Sequence, residues 1–391
     1  MQQRRVIVSV TNDLVTDQRV HRSCMALCEA GCSVTLVGRR LPCSNALQRP
    51  YKTTRMALIF RKKALFYAEY NLRLFFKLLF SRADIFYAND TDTLLANYMA
   101  ARIRRKPLFF DAHEMFPEVP ELVGRDLVRR IWTKIEDRVF PRIAKRPNMA
   151  AVTVCQSIAD IYRQRYGLKM DVVRNVPMPS AQSHADVADL LANVPAGKRI
   201  LLYQGAVNIG RGIEWMMEAM PYLNDCHFLV AGDGDIFNTL KQRYKNLDNV
   251  TLLGRVEPQR LKALTLHADL GISLLENRGL NYYYSLPNRL ADFVQAEVPV
   301  LATDFPEIHR VVATYTIGTL VAPQPFNAAT RTSEPPDPRQ LADTVRATLA
   351  QWDTVDSQQR KEIFARAAAD LTWENDKQVL INSINTIFQN D

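Results

Sequence analysis

The chain has no run approaching the ~18 uninterrupted apolar residues of a membrane-spanning helix, so none of its 391 residues reads as part of a transmembrane span. Its first apolar run, Val6–Val10, is too short for a signal-peptide core, and Arg4 and Arg5 merely precede a strand. The six cysteines (Cys24, Cys28, Cys32, Cys43, Cys155 and Cys226) show no paired framework, which argues against a disulfide-stapled fold. His21, Cys24 and Cys28 share a helical face that would allow a metal. Cys24 and Cys28 alternate with Met25 and Leu27 in an apolar pattern, however, so buried thiols are expected. Reduced thiols without a leader point to a cytoplasmic protein. No internal repeat, low-complexity tract or divalent-metal cluster stands out. The aromatic signature of RNA-binding modules is missing too, so nucleic acid is not an expected partner.

What is present is a length sufficient for about two domains and an ordinary soluble composition, 47% hydrophobic and 23% charged. The net charge of +9 is unevenly spread. Residues 1–175 hold 31 Lys and Arg against 16 Asp and Glu; the rest hold 19 against 25. A basic half suggests an anionic partner: membrane phospholipid, a lipid-diphosphate substrate or nucleic acid.

Val6–Val10, a polar loop Thr11–Arg19, a helix stopped by Gly31, and a second strand Ser33–Val37 form a βαβ unit, which implies a parallel sheet. The first loop has no glycine, so the G-x-G-x-x-G fingerprint of nicotinamide and flavin sites is absent. Arg61–Ser81 reads as a helix with Leu65, Leu72, Phe76 and Leu79 on one face and Lys62, Arg73 and Lys77 opposite. It would either cover the sheet or lie on an anionic membrane. Strands at Asp84–Ala88 and Leu108–Asp111 end in Asn89-Asp90 and Ala112-His113-Glu114. Ligands gather at the carboxyl ends of parallel strands, which makes Asp90, His113 and Glu114 candidate catalytic residues. A basic helical region, Arg125–Arg146, precedes strands at Ala150–Val154 and Val172–Val173. Residues 177–198, with Pro177, Pro179, Ser180, Pro195 and Gly197, have a linker's composition.

The second half starts over. The strand Arg199–Tyr203 leads into Gln204-Gly-Ala-Val-Asn-Ile-Gly-Arg-Gly212. Glycines and an arginine at a strand-to-helix turn suit a phosphate. Strands His227–Ala231 and Val250–Leu253 end in Gly232-Asp-Gly234 and Gly254-Arg-Val256. After the strand Asp269–Leu275 comes Asn281-Tyr-Tyr-Tyr-Ser-Leu-Pro-Asn-Arg-Leu-Ala-Asp-Phe293. Ser285 is placed to cap a helix with Pro287 in its first turn, and Leu286, Leu290 and Phe293 fall on one face. Helix N-termini attract phosphate, and Asp292 could accept both hydroxyls of a ribose. A solvated ion pair on a capped helix is the plainer alternative. Tyr282–Tyr284 would stack on a sugar or fill the core.

Six motifs in order make the chain resemble a retaining glycosyltransferase of family four, with two-Rossmann (GT-B) architecture. Ser285-Leu-Pro-Asn-Arg-Leu-Ala-Asp-Phe with Val298-Pro-Val is similar to that family's nucleotide-sugar motif. Gln204-Gly205 with Arg211-Gly212, Ala231-Gly-Asp-Gly234 and Leu253-Gly254 match the expected loops. Asn12–Arg19, Asn89-Asp90 and His113-Glu114 resemble a branch common in cell-envelope polysaccharide synthesis. The resemblance implies an α/β protein with two Rossmann-like, doubly wound parallel-sheet domains facing a cleft. Residues 1–176 would form the acceptor domain and 199–370 the nucleotide-sugar domain, with 371–391 packing back on the first. It implies a hexosyltransferase moving sugar from a nucleotide-sugar donor to a cell-envelope glycan or lipid-linked acceptor, without metal or cofactor, in the cytoplasm or peripherally at the inner face of the membrane. Gly205, Arg211, Arg255, Val256, Ser285, Asn288, Arg289 and Asp292 would bind the donor, with Asp292 on the ribose and Arg211 and the Ser285–Arg289 helix start on the diphosphate. Two departures stand out. Tyr284 occupies the position of the family's first glutamate, with Glu276 out of register, and Ala206 stands where many members have arginine. They leave open a non-catalytic sugar-nucleotide-binding homologue, beside an epimerase of the same fold.

Overall fold

The computed structural model describes residues 3–389 apart from 16, 43, 120–124, 179–182, 184 and 328–331. The chain divides into two compact units: Met1–Asn175 with Glu374–Asp391, and Val176–Trp373.

Unit 1 is built on seven parallel strands: β1 (Arg5–Asp13), β2 (Ser33–Arg40), β3 (Lys52–Ala57), β4 (Ile85–Asn89), β5 (Leu108–Ala112), β6 (Met149–Thr153) and β7 (Asp171–Val172), in the order β3-β2-β1-β4-β5-β6-β7. Every residue of β4 and β5 is buried. This fits strands covered by helices on both faces, which read as continuous apolar runs. The order reverses between β1 and β4, where Val6 pairs with Ile85 and Ser9 with Ala88. That switch point is where open parallel sheets bind ligands.

Unit 2 repeats the plan with β8 (Arg199–Gln204), β9 (Cys226–Ala231), β10 (Val250–Gly254), β11 (Leu270–Ser273), β12 (Val300–Thr303) and β13 (Gly318–Val321), ordered β10-β9-β8-β11-β12-β13. Its core lies on both sides of the sheet by simple alternation. Leu202, Leu229 and Val300 enter one cluster, while their neighbours Leu201, Phe228 and Leu301 enter the other.

Three expectations need correction. Residues 177–198 are not a free linker: Val187 is 5% exposed, and Leu190, Leu191 and Val194 pack with it on the core of unit 2. Arg260 Nε also donates to Asp186 O at 3.0 Å. Pro179 and Ser180 lie outside the described residues. The helix Lys63–Leu79 buries Phe66, Tyr70, Leu74 and Leu78, leaving Leu65, Leu72 and Phe76 exposed, the reverse of the expected face. Tyr70 decides the orientation, because its hydroxyl reaches Val10 O at 2.5 Å inside the sheet layer. Finally, Ser285 caps no helix. The helix Asn288–Gln295 has Pro287 as its N-cap, in extended backbone (φ −66°, ψ 132°). Proline disfavours helical backbone in the residue before it, so the helix cannot start at Ser285. Ser285 Oγ instead donates to Tyr282 O at 2.9 Å, closing the turn Leu280–Tyr283.

The last helix, Trp373–Gln389, ties into unit 1 through Asp376, which accepts from the Arg174 amide at 2.6 Å and from its guanidinium at 3.1 Å. Cys24, Cys32, Cys155 and Cys226 are buried free thiols and Cys28 is half-buried; Cys43 lies outside the described residues. His21 Nδ1 bonds to the Tyr51 hydroxyl at 2.8 Å. Among the described residues no cluster of His, Cys, Asp and Glu is arranged to hold a metal.

Candidate active site

In unit 2 the loops after β8, β9 and β10 are stitched side by side. The Gly205 amide donates to Ala231 O (3.0 Å) and the Gly232 amide to Gly254 O (2.8 Å). Gly232 has φ 154°, and a Cβ there would stand 1.8 Å from Gly205 O, so no other residue allows the two loops to touch. The glycines of the first loop divide by role. A Cβ on Gly210 would strike Arg278 Cδ at 2.4 Å, and one on Gly212 would strike Leu274 Cβ at 2.7 Å, so both serve packing. Of the three, Gly205 alone would meet no clash: a Cβ there would make ordinary contact with Arg289 Nη2 at 3.8 Å.

Arg289 is 7% exposed and lies over the Tyr203 ring at 4.2 Å; Arg211 lies over Tyr282 at 5.0 Å. Burial, together with the positive charge of Arg211, lowers the pKa of Arg289, against the opposing pull of Tyr203 and Asp292. Arg289 Nη1 and Arg211 Nε are buried with no hydrogen-bond partner among the described residues. Two guanidiniums that disfavour each other, one of them buried, make a receptor for an anion. One turn along the helix, Asp292 Oδ2 accepts from Gln204 Nε2 at 3.0 Å, and Gln204 Oε1 accepts from the Thr265 hydroxyl at 2.8 Å. The amide thus steers the carboxylate. Asn288 is exposed at the helix start. Arg255 is exposed, with Nε 3.4 Å from Asp233, and Val256 packs half-buried on the core. Glu276 pairs with Arg278 at 3.0 Å, and its amide donates to Gly210 O. Tyr282 and Tyr283 fill the core: Tyr282 is 8% exposed, and Tyr283 packs 5.1 Å from Phe305.

In unit 1 the switch point holds a buried ionic cluster. Asp90 sits at φ 58°, ψ 164°, a conformation that costs a non-glycine residue about 1–3 kcal/mol. The strain turns its carboxylate away from the following helix and toward His113. Asp90 Oδ1 accepts from the His113 amide at 2.7 Å, and Oδ2 lies 3.4 Å from Nδ1. On the other side of the ring, Nε2 lies 3.4 Å from Asp111 Oδ2, out of hydrogen-bond alignment. Asp111 also accepts from Arg19 (2.8 Å) and from the Tyr87 hydroxyl (2.8 Å), and Arg19 donates to Val173 O (2.9 Å). Burial disfavours charge on His113, yet Asp90 and Asp111 outweigh it and raise its pKa to about 9. Burial would raise Asp111, but Arg19 and His113 hold it well below the usual carboxylate range. Asp92, which accepts from Thr11 at 2.6 Å, is pushed up to about 7 by burial and by Asp90. The ring thus lies between two carboxylates, an environment that favours the charged imidazolium. Glu114 is exposed, outside the buried cluster.

Residues 17–178 match the family model described as Glycosyltransferase Family 4, and residues 198–351 match that of Glycosyl transferases group 1. Together the two models span most of the chain, which is a glycosyltransferase. Solved structures agree in fold. Sucrose-phosphate synthase from Thermosynechococcus elongatus is similar over 100% of both chains, with a TM-score of 0.74 and 18% identity. Anabaena HepE, in complex with UDP-glucose, has a TM-score of 0.71 and 14% identity over 98% of this chain and 99% of its own. WaaG, a glycosyltransferase involved in lipopolysaccharide biosynthesis, has 0.64 and 14% over 97% and 99%. No curated protein matches the chain in sequence. The glycosyltransferase therefore has GT-B architecture, and its two units hold two separate polar constellations. In the sequence the strand ends point to Asp90 and His113, while nothing there ties Asp111 and Arg19 to them. A lone arginine on the apolar face of a helix and an aspartate ending a buried strand were the signals available.

Proposed function

We propose that this glycosyltransferase moves a hexose, with retention of configuration, from a nucleotide sugar to a cell-envelope glycan or a lipid-linked acceptor. The observation that carries the donor reading is the pair Arg211 and Arg289 beside Gly205, with the Asp292 carboxylate held one turn away by Gln204. On this reading the arginines and Asn288 take the diphosphate, Asp292 takes the ribose, and the backbone at Arg255 and Val256 lies along the base. The Ser285 hydroxyl, engaged with Tyr282, takes no part. That HepE was solved with UDP-glucose and that WaaG serves lipopolysaccharide biosynthesis supports the choice of donor and acceptor classes.

In the proposed step the bond between the anomeric carbon and the β-phosphate oxygen breaks. The acceptor hydroxyl oxygen bonds to that carbon on the same face, and its proton passes to the leaving phosphate. Negative charge grows on the diphosphate as the bond breaks, so fixed guanidiniums stabilise the transition state more than the ground state. Arg211 and Arg289 thereby stand in for a metal ion. Asp90 and Asp111 keep His113 protonated, so it serves as a hydrogen-bond donor to a sugar oxygen; no separate base is required. A lipid-linked acceptor brings the cytoplasmic enzyme to an anionic membrane, which the basic residues 1–175 suit.

A thermal-shift panel with UDP, GDP, CDP, ADP and TDP on wild type and Asp292→Ala tests the reading. A ligand that binds only the native state raises the melting temperature. One nucleoside diphosphate should stabilise the wild type, with the shift lost in the variant. No shift with any of the five would remove the donor site.

A further inference from the structure

The helix Lys63–Leu79 is apolar on two sides. One side, Phe66, Tyr70, Leu74 and Leu78, is buried in unit 1. The other runs Leu65 (57% exposed), Leu72 (59%), Phe76 (48%) and Phe80 (79%), with Ile59 (75%) and Phe60 (43%) on the turn before it. Spacings of seven, four and four place the three helical positions and the C-cap Phe80 in one stripe about 22 Å long, at 1.5 Å per residue. Phe76 and Phe80 are stacked, centroids 6.4 Å apart and planes 8° from parallel. Monomeric soluble proteins rarely leave such contiguous apolar surface in water.

The charges around the stripe have one sign. Between residues 59 and 82 stand Arg61, Lys62, Lys63, Arg73, Lys77 and Arg82 against a single acid, Glu69. Glu69 is internally neutralised: it pairs with Arg73 at 2.7 Å and accepts from the amides of Ile59 (3.0 Å) and Phe60 (2.8 Å). Those bonds also hold the Ile59–Phe60 knuckle against the helix. The neighbouring helix Thr91–Arg104 continues the pattern. Its C-terminal turn is fastened to the first helix by Arg104 Nη1 donating to Leu79 O (2.9 Å), and it exposes Met99 (43%) and Ile103 (59%) beside Arg102 and Arg105.

We infer that this face of unit 1 docks on an anionic phospholipid surface, with the Leu65–Phe80 stripe sunk among the acyl chains and the lysines and arginines at the headgroups. The occupant follows from charge complementarity. An apolar stripe rimmed by cations matches a helix lying in the plane of an anionic interface, whereas a second copy of this face would bring like charges together. The inference deepens the proposed reading of a membrane-borne acceptor and rests on it for the choice of lipid. The stripe belongs to the helical layer, apart from the His113 cluster at the strand ends.

Sedimentation of the full chain with vesicles of phosphatidylglycerol and phosphatidylcholine, against phosphatidylcholine alone, tests this. Wild type should bind the anionic vesicles at least about tenfold more strongly, and Leu72→Glu/Phe76→Glu should lose that binding by a similar factor. Both positions are exposed, so the variant should keep its fold and its nucleoside diphosphate thermal shift, which reads the donor site independently. Arg61→Gln/Lys62→Gln should weaken binding about two- to fivefold and reduce its salt dependence. The inference is overturned if wild type ignores anionic vesicles, if the Leu72→Glu/Phe76→Glu variant binds them as well as wild type, or if wild type is a dimer that this variant makes monomeric.

Discussion

The two units share a strand order around their switch points, β3-β2-β1-β4-β5-β6 in one and β10-β9-β8-β11-β12-β13 in the other, yet they fill those points in opposite ways. Unit 1 balances its charges internally: Asp90 and Asp111 flank His113, Arg19 answers Asp111, and a strained aspartate, not a glycine, makes the turn. Unit 2 leaves its charges unbalanced. Glycines bring backbone close, and Arg211 and Arg289 share a site that burial and mutual repulsion make costly. The sequence charge runs the other way, since residues 1–175 are the basic part and the remainder is acidic. Net charge thus says little about a site. A cluster already satisfied suits positioning or proton donation, while an unsatisfied cationic pocket stores free energy that an anion releases.

Replacing Arg289 should break that contrast most sharply. Arg289→Met removes a buried cation with an orphaned Nη1 and fills its volume with an apolar chain. The unliganded protein should gain about 1–2 kcal/mol, measured by denaturant melts, as sites kept for function often do when relieved. Over the same substitution kcat/KM should fall ~10²–10³-fold, because the guanidinium acts on charge that grows in the transition state. A loss of stability without a loss of activity would make Arg289 an ordinary core residue.

In unit 1 the signs reverse. His113→Gln removes the cation between two carboxylates, so stability should fall by about 3 kcal/mol while nucleoside diphosphate binding is unchanged and turnover drops ~100-fold. The pH dependence separates this from a simple packing defect. His113 has its pKa raised from 6.5 to about 9 on folding. A group raised in this way stabilises the fold fully below pH ~6.5, and its contribution is lost as pH rises through about 9. Wild type should therefore lose about 2–3 kcal/mol between pH 7 and 10 beyond whatever the variant loses. Parallel stability profiles for the two proteins would mean that the cluster does not hold His113 charged.

Much of this could be read from the chain alone, and the failures have physical causes. Central strands announce themselves because Phe86, Phe109, Phe228 and Val230 are buried from both sides. Lys52–Ala57 carries no such signal: its residues are all partly or fully exposed, with no apolar alternation to mark a strand. Apolar residues surround the helix Lys63–Leu79, and periodicity cannot rank two such faces. Asp90 and His113 were legible as strand ends. Their partners were not: Arg19 lies 92 residues from Asp111, and Thr11 lies 81 from Asp92, separations that only the parallel topology closes. In unit 2, Asp292 was legible by motif, whereas its link to Gln204 spans 88 residues.

That link supports the finest distinction between the units. The Thr265 hydroxyl has one proton and two acceptors in range, Gln204 Oε1 at 2.8 Å and Leu261 O at 2.7 Å. When it donates to Gln204 it fixes the amide with nitrogen toward Asp292; when it donates to Leu261 the amide is free to turn and present oxygen to a carboxylate. Thr265→Val removes the bias at nearly constant volume and leaves Gln204 Oε1 buried without its donor. The expected cost is about 1 kcal/mol, seen as a roughly fivefold weaker affinity for the nucleoside diphosphate and a raised donor KM at unchanged kcat. Thr265→Ser should restore affinity, because it returns the hydroxyl. If Val and Ser behave alike, the hydroxyl does not orient the amide, and the Asp292 carboxylate is held by its helix alone.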